Sequence, residues 1–283
     1  MIRILVTGSN GQLGSEFKYL SPDLGTIEFV FTDIEELDIT SKEAVTSYFQ
    51  DNKFNFCINC AAYTAVDKAE EDRASAKLVN ETAVVILAEV TKKFDVKFIH
   101  ISTDFVFSGS KNTPYLELDS PDPINFYGKS KLKGESLALA INRKSVVIRT
   151  SWLYSSFGNN FVKTMLKLSE TKDELGVIID QVGTPTYARD LAEVVLKVIQ
   201  SDKFISGVYH YSNEGVASWY DFAQAIFDEN NINIKVNPIP TEQYPTPAKR
   251  PVFSVMNKTK IKETFGIEIP HWRKSLSKCL EII

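Results

Sequence analysis

The stretch VTGSNGQLG, residues 6–14, spaces Gly8, Gly11 and Gly14 as G-x-x-G-x-x-G. It follows a short apolar run that predicts a strand, and it leads into a segment with helical character. Glycines here let the backbone turn tightly and approach a ligand closely, while the start of the helix offers free N–H groups and a partial positive charge. The loop therefore predicts a site for the pyrophosphate of a dinucleotide.

Strand-like runs alternate with helix-like segments through the first half of the chain. Because these runs are almost wholly apolar, they indicate a parallel sheet that is covered on both faces, with right-handed crossovers. We expect an α/β fold, namely a Rossmann-type doubly wound parallel sheet with a smaller C-terminal substrate domain. The strand-like runs are IRILV (2–6), EFVFTD (28–33), NFCINCA (55–61), KFIHIST (97–103) and SVVIRTS (145–151).

The pattern loosens after residue 151, where loops become longer. Residues 238–251 hold five prolines and predict an extended loop. We assign the dinucleotide-binding domain to 1–151 with roughly 176–205, and the substrate-binding domain to roughly 152–175 and 206–283. Helices are predicted over 12–20, 41–50, 68–93, 161–170, 188–200 and 219–230.

Composition excludes several classes of protein. A net charge of −4 and a pI near 5.6 argue against a nucleic-acid partner. The longest apolar runs are too short to span a membrane, and the N-terminus lacks a signal peptide's apolar core, so we expect no membrane association and a cytoplasmic location. Cys57 and Cys60 fall in a strand-like run, where residues three apart point to opposite faces, so we expect packed core thiols rather than a redox pair.

Asp33 ends the second strand-like run, 22 residues after Gly11. A carboxylate at this place suits the diol of an adenosine ribose and repels a 2′-phosphate. No Lys or Arg follows closely, although Arg3 could approach from elsewhere. The sequence therefore favours NADH slightly over NADPH.

Thr103, Tyr127 and Lys131 form a candidate catalytic set. Thr103 ends the run KFIHIST, and in open α/β sheets ligands bind beyond the carboxyl ends of the strands. Tyr127 and Lys131 are four residues apart on a predicted helix and share one face. Beside a nicotinamide, a phenol could protonate the oxygen of a carbonyl group as hydride reaches its carbon. A nearby ammonium would lower the phenol's pKa.

Nine motifs together resemble the extended short-chain dehydrogenase/reductases and, within them, the dTDP-4-dehydrorhamnose reductase family. The resemblance spans nearly the whole chain and keeps the family's order. The motifs are TGSNGQLG, NCAAYTAVDKAE, STDFVFSG, YGKSKLKGE, RTSWLY, GNNFVKTML, DQVGTPT, GVYHYSNEG and YPTPAKRP.

The resemblance implies a reduction of the C4 carbonyl of dTDP-6-deoxy-4-keto-L-mannose by NADH or NADPH, giving dTDP-L-rhamnose. Tyr127 would be the proton donor, Lys131 its partner and the cofactor's ribose anchor, and Thr103 the third catalytic residue. Asp104 and Trp152 would contact the sugar together with Thr103. The cofactor would meet Gly8, Gly11, Gln12, Leu13 and Gly14 at its pyrophosphate, Asp33 at its ribose, Asp38 and Ile39 at its adenine, and Ala62, Tyr63, Thr64, Tyr127 and Lys131 along the rest.

Two alternatives stay open. One is a reductase of another nucleotide 4-keto-6-deoxysugar, and the other is a non-catalytic regulatory subunit like the β subunit of methionine adenosyltransferase, which resembles the same family. A related dehydratase is disfavoured because Phe105, and not Glu, follows Asp104.

The resemblance also bears on metals and assembly. Some family members bind a bridging magnesium ion where Glu16 and Asp190 stand, but Asp190 is the shorter acid, so no metal ligand is predicted and the need for Mg²⁺ is undecided. A homodimer is compatible with the resemblance. His100, His210 and His271 are scattered, and we give them no catalytic role.

Overall fold

Six parallel strands form the central sheet of the computed structural model, which describes residues 1–283. The chain's strands are β1 (Ile2–Thr7), β2 (Ile27–Thr32), β3 (Phe56–Asn59), β4 (Lys97–Thr103), β5 (Ser145–Thr150), β6 (Leu153–Tyr154), β7 (Glu174–Ile178), β8 (Val182–Gly183), β9 (Thr186–Tyr187), β10 (Gly207–His210), β11 (Ala217–Ser218) and β12 (Lys235–Ile239). The central sheet has the order β10-β5-β4-β3-β1-β2. The strand order reverses at β1, which has β2 on one side and β3 on the other, so a ligand cleft is expected there.

Helices cover both faces of this sheet and confirm the predicted fold class. The α-helices are α1 (Gln12–Leu20), α2 (Lys42–Asp51), α3 (Lys68–Glu71), α4 (Arg73–Lys77), α5 (Ala83–Lys93), α6 (Phe126–Ile141), α7 (Phe161–Ser169), α8 (Ala188–Gln200), α9 (Trp219–Glu229), α10 (Thr259–Phe265) and α11 (Trp272–Leu280). One apolar core lies between the sheet and α1, α8 and α10, and a second lies between the sheet and α2, α5 and α6.

The helical region predicted over 68–93 is confirmed, but it is interrupted at Asp72 and consists of α3, α4, a π-helical turn at Leu78–Thr82, and α5. Asp72 ends α3 and caps α4 by accepting a hydrogen bond from the Ser75 amide at 3.1 Å. Asn80 lies in the π-helical turn, and π-helical turns inside helices often occur at functional sites.

A third core joins α7, α9 and α11 to the short strands of the C-terminal part. There β12 pairs with β7, β11 with β8, and β6 with β9. At two places the strand pairing differs from the predicted division of the chain: β10 belongs to the central sheet, and β7 pairs with β12 of the C-terminal part. The domain boundaries themselves stay a prediction.

The three cysteines are free thiols. Cys57 belongs to the core beside α2 and α5, whereas Cys60 packs against the core on the other face, as the strand geometry predicted. Burial raises the pKa of both thiols, which makes them poor nucleophiles.

Candidate active site

A cleft of about 700 Å³ opens at the carboxyl ends of the central strands. Segments that directly follow β1, β2, β3, β4 and β5 all contribute to its wall. It brings together most of the residues predicted from the sequence: Gly8, Gly11, Gln12, Leu13, Asp33, Asp38, Ile39, Ala62, Thr64, Thr103, Asp104, Tyr127, Lys131 and Trp152. Of the predicted residues, Gly14 and Tyr63 do not line the cleft.

The glycine loop is closely packed at two of its three glycines. Gly8 has φ +66°, and a Cβ there would lie 2.5 Å from the amide nitrogen of Ala61. A Cβ on Gly14 would lie 2.5 Å from the Gly8 carbonyl oxygen, so Gly14 serves the packing of the loop. Gly11 is the N-cap of α1 and has no side chain that could accept a hydrogen bond from the helix. The N–H groups of the first helical turn, whose residues Gln12 and Leu13 line the cleft, are therefore available to a ligand.

Asp33 stands at the end of β2 and is fixed by the backbone around it. Its carboxylate accepts hydrogen bonds from the amides of Asn10 and Ile34, both at 2.9 Å. The Asn10 bond ties the carboxylate to the glycine loop. The negative charge therefore lies beside the loop that would hold a pyrophosphate.

An apolar wall lies next to Asp33, and only part of it is evident from the sequence. Ile34 and Leu37 line the cleft together with Ile39, and Ile34 is 73% exposed. Asp38 turns its carboxylate to Thr40, whose amide and hydroxyl donate to it at 2.9 and 2.7 Å. Its place directly after Asp33, the acid that ends the second strand, was the sequence signal that could have identified Ile34.

Thr103 and Asp104 form a buried pair at the end of β4. The Thr103 hydroxyl donates to Asp104 Oδ1 at 3.0 Å and accepts from the Phe105 amide at 3.2 Å. Asp104 is 2% exposed, and burial raises its pKa to about 6 against the opposing effect of the Ser254 and Thr103 hydroxyls. The other carboxylate oxygen, Oδ2, is buried and makes no hydrogen bond of good geometry, although the Ser254 hydroxyl lies near the carboxyl group.

Tyr127 is the second residue of α6, whose N-cap Asn125 accepts from the Gly128 amide at 2.7 Å. The phenol is 8% exposed and packs edge-on against Phe105. Burial raises its pKa to about 12, and the Thr103 hydroxyl opposes that rise. The phenol is therefore protonated at neutral pH.

The expected lowering of the Tyr127 pKa by Lys131 is wrong for this structure. The Lys131 ammonium instead donates to the Ile101 carbonyl at 2.6 Å and lies 3.5 Å from His100 Nε2. Burial lowers the pKa of Lys131 to about 8, and Glu135, one turn further along α6, opposes this. An ammonium has three N–H groups, so one remains for a ligand.

A buried ion pair supports the helix that carries these groups. Glu135 and Arg149 are 2% and 3% exposed, and the guanidinium donates to both carboxylate oxygens. Arg149 also contacts His210, and burial lowers the pKa of His210 and of His100. Both histidines are packed in the core, while His271 caps α11.

Trp152 projects from a strained backbone position. Its φ of +47° is unusual for a bulky residue, and such strain concentrates at functional sites. The indole stacks on Trp219 with 3.6 Å between ring centroids and 7° between planes. Trp219, the first residue of α9, thus supports the wall that Trp152 gives to the cleft.

Asn80 is a further residue of the site, and no sequence motif points to it. It is 1% exposed and joins two parts of the site: it exchanges hydrogen bonds with the Tyr63 backbone at 2.9 and 3.1 Å, and it donates to Ser130 at 3.1 Å. Tyr63 is therefore held by its backbone behind the cleft. Only the tertiary fold brings these segments together.

Glu16 and Asp190 do not fit a magnesium site. The Glu16 oxygens already accept from Ser155 at 2.6 Å and from the Arg189 guanidinium at 2.8 Å, and Glu16 is fully buried. Asp190 Oδ2 accepts from Asn213 at 2.6 Å and Ser275 at 2.5 Å. Because a guanidinium neutralises Glu16, a second cation there would be repelled.

The parallel sheet, the glycine loop and the switch-point cleft define a Rossmann-type dinucleotide-binding protein of the extended short-chain dehydrogenase/reductase class. The sequence matches the RmlD substrate binding domain family over residues 2–283, and the chain belongs to that family.

The chain is similar to known dTDP-4-dehydrorhamnose reductases over nearly its full length. The chain is 45% identical to a dTDP-4-dehydrorhamnose reductase of Aggregatibacter actinomycetemcomitans, with 98% of this chain and 97% of that protein covered. A crystal structure of a dTDP-4-dehydrorhamnose reductase from Clostridium acetobutylicum superposes with a TM-score of 0.95, 44% identity and 99% of each chain covered. A Bacillus anthracis dTDP-4-dehydrorhamnose reductase, solved in complex with NADP, gives 0.96 at 36% identity and covers 100% of both chains. None of this chain's helices combines the length and apolar character that a membrane crossing requires.

Proposed function

We propose that this protein reduces the C4 carbonyl of dTDP-6-deoxy-4-keto-L-mannose to the alcohol of dTDP-L-rhamnose, with NADH or NADPH as the second substrate. One observation carries the proposal: Thr103, Tyr127 and Lys131 line the same cleft as the glycine loop, at the carboxyl end of β4. The choice of sugar is supported by the 45% sequence identity to a named dTDP-4-dehydrorhamnose reductase, which covers 98% of this chain.

The chemistry follows from the groups in the cleft. A bound reduced dinucleotide supplies a hydride, with its electron pair, to the carbonyl carbon. Tyr127 donates its phenolic proton to the carbonyl oxygen, and its raised pKa keeps that proton in place until the oxygen becomes basic. Lys131, with its remaining N–H, anchors the ribose of the dinucleotide. Asp104 Oδ2 receives a sugar hydroxyl, and Trp152 packs against the sugar ring.

We propose NADH as the preferred dinucleotide. The Asp33 carboxylate is fixed beside the glycine loop and would repel a 2′-phosphate. Arg3 is paired with Glu28 at 2.9 Å, and it lies at the start of β1, at the opposite end of the strand from the cleft. Replacing Asp33 by Ser is expected to shift the NADPH-to-NADH ratio of kcat/KM upward by about tenfold or more.

A cytoplasmic location and a homodimer remain proposals. Three free thiols fit a reducing compartment. Light scattering of the purified chain would measure the assembly.

The proposal is tested by supplying the purified protein with the enzymatically generated dTDP-4-keto sugar and either dinucleotide. We expect oxidation of NADH together with formation of dTDP-L-rhamnose, identified by proton NMR at the new carbinol. If the new carbinol has the opposite configuration at C4, hydride reaches the other face of the carbonyl group, and the proposed product, dTDP-L-rhamnose, is wrong. If NADH binds but is not oxidised, the reductase function is wrong.

A further inference from the structure

One turn of the C-terminal part, residues 246–250, is bonded to the N-terminal part by an ion pair. The Arg250 guanidinium donates to both carboxylate oxygens of Asp67, at 3.0 and 2.7 Å. The Ala248 amide adds a third bond to Asp67 at 3.1 Å. Arg250 also donates to Thr246 at 2.5 Å, so the turn is closed on itself. The bidentate pair holds the pKa of Asp67 below its usual range.

A second bond connects the same turn to the catalytic helix. The Asn125 side-chain amide donates to the Lys249 carbonyl at 2.8 Å. With its other end, Asn125 caps α6 by accepting from the Gly128 amide. Tyr127 lies between Asn125 and Gly128 in the first turn of α6. By binding the Asn125 side chain, the Lys249 carbonyl therefore fixes the cap of the turn that carries the phenol.

Beyond the turn, the chain continues to the sugar side of the cleft. Phe253 pairs with Val182 of β8, and the buried Ser254 hydroxyl lies against the Asp104 carboxyl. One continuous segment therefore links Asp67, the cap of α6 and the end of β4. The glycine loop and Asp33, which belong to β1, α1 and β2, take no part in these bonds.

We propose that the Arg250–Asp67 pair is a clamp that positions the first turn of α6, and Tyr127 with it, against the sugar held by the C-terminal part. Arg250 and Asp67 act as positioning residues, and the inference rests on the proposed function. Both side chains are partly exposed, at 23% and 38%, and such pairs contribute little to stability. Loss of the pair should therefore alter the reaction while leaving the fold and the dinucleotide site in place.

The test is a double-mutant cycle with Arg250→Ala, Asp67→Asn and the double variant. We expect each single variant to lower kcat by about tenfold and to raise KM for the nucleotide sugar, and the double variant to be no worse than either, because the residues act as one unit. The Kd for NADH, measured by fluorescence, should stay within about twofold of the wild type, since the dinucleotide site is untouched. Arg250→Lys should recover only part of the rate, since an ammonium cannot bind both oxygens in parallel.

Lys235→Ala is the matched control, because it breaks an exposed ion pair with Glu174 within the same C-terminal part. It should leave all these constants unchanged. The clamp is refuted if the losses add in the double variant, or if Asp67→Asn is silent while Arg250→Ala is impaired, which would make Arg250 a direct ligand of the substrate. A parallel loss of Tm and NADH affinity would also refute it, since that would indicate a general structural role.

A wild-type protein that does not oxidise NADH with the keto sugar would reject the proposed function instead. The clamp would then be judged by hydrogen exchange. Asp67→Asn must speed exchange of the Gly128 amide relative to wild type, while amides in α1 stay unchanged. Equal protection of Gly128 in both proteins would refute the clamp.

Discussion

Methyl groups added at two glycines of the loop should separate ligand binding from packing. Gly11 lines the cleft, and a Cβ there would have its nearest neighbour, the Gly8 carbonyl oxygen, at 3.3 Å. Gly14 does not line the cleft, and its Cβ would lie 2.5 Å from both the Gly8 oxygen and Ser9 Cα. Gly11→Ala should therefore weaken dinucleotide binding, whereas Gly14→Ala should lower the stability of the fold.

The magnitudes follow from these contacts. The neighbours of Gly14 are backbone atoms of Gly8 and Ser9, which cannot move without distorting the loop. Overpacking by an alanine should therefore lower the free energy of unfolding by about 3 kcal/mol, and the higher helix propensity of alanine should return about 1 kcal/mol. A net loss of about 2 kcal/mol corresponds to a Tm lower by about 4–8 °C. For Gly11→Ala we expect an unchanged Tm and a Kd for NADH raised by about tenfold or more, because an added methyl group would occupy space needed by the pyrophosphate.

Thermal unfolding followed by circular dichroism and NADH titration by fluorescence give both readouts for both variants. Two results would refute the reasoning. Wild-type NADH affinity in Gly11→Ala would mean that the loop does not hold the pyrophosphate. A wild-type Tm in Gly14→Ala would mean that the close contacts with Gly8 and Ser9 do not limit the loop.

Further predictions concern the buried charges. Glu135→Gln should lower the free energy of unfolding by about 3–5 kcal/mol in urea titrations, because the Arg149 cation is left without its partner in the core; a smaller loss than that of a surface variant such as Lys144→Ala would contradict this. The rate of NADH oxidation should fall as the pH rises through about 8, because Lys131, whose pKa burial lowers to that value, loses its positive charge; a rate that stays constant up to pH values near the usual lysine pKa would speak against a role for the ammonium. EDTA should leave the rate unchanged, because Arg189 already neutralises Glu16; a loss restored by Mg²⁺ would show a metal site elsewhere.

Local backbone requirements made much of the site predictable from the sequence. Position 8 requires glycine because its φ is positive and the Ala61 backbone lies close to it. Thr103 is the last residue of β4, at the carboxyl end of a parallel strand. These properties depend on residues close in the chain and on a fold class that the apolar runs indicate. The cleft therefore contains most of the expected residues.

Properties set by distant contacts were not predictable in this way. The pKa of Tyr127 rises because the folded chain buries it, and Lys131 turns to the carbonyl of Ile101, whose position depends on the sheet. The break in the helix at Asp72 depends on a cap that competes with a good helical pattern. The pairing of Arg250 with Asp67 joins residues 183 positions apart.

Replacement of Tyr127 by Phe removes the proton that the proposed carbonyl reduction requires and keeps the aromatic ring. Wild type and Tyr127→Phe would be compared by NADH oxidation with the dTDP-4-keto sugar, after NADH titration has shown equal binding to both. We predict a rate that is lower in the variant by about 10²-fold or more, since general acid catalysis contributes about 10²–10⁴. A variant that binds NADH normally and oxidises it at the wild-type rate would contradict the assignment of Tyr127 as the proton donor.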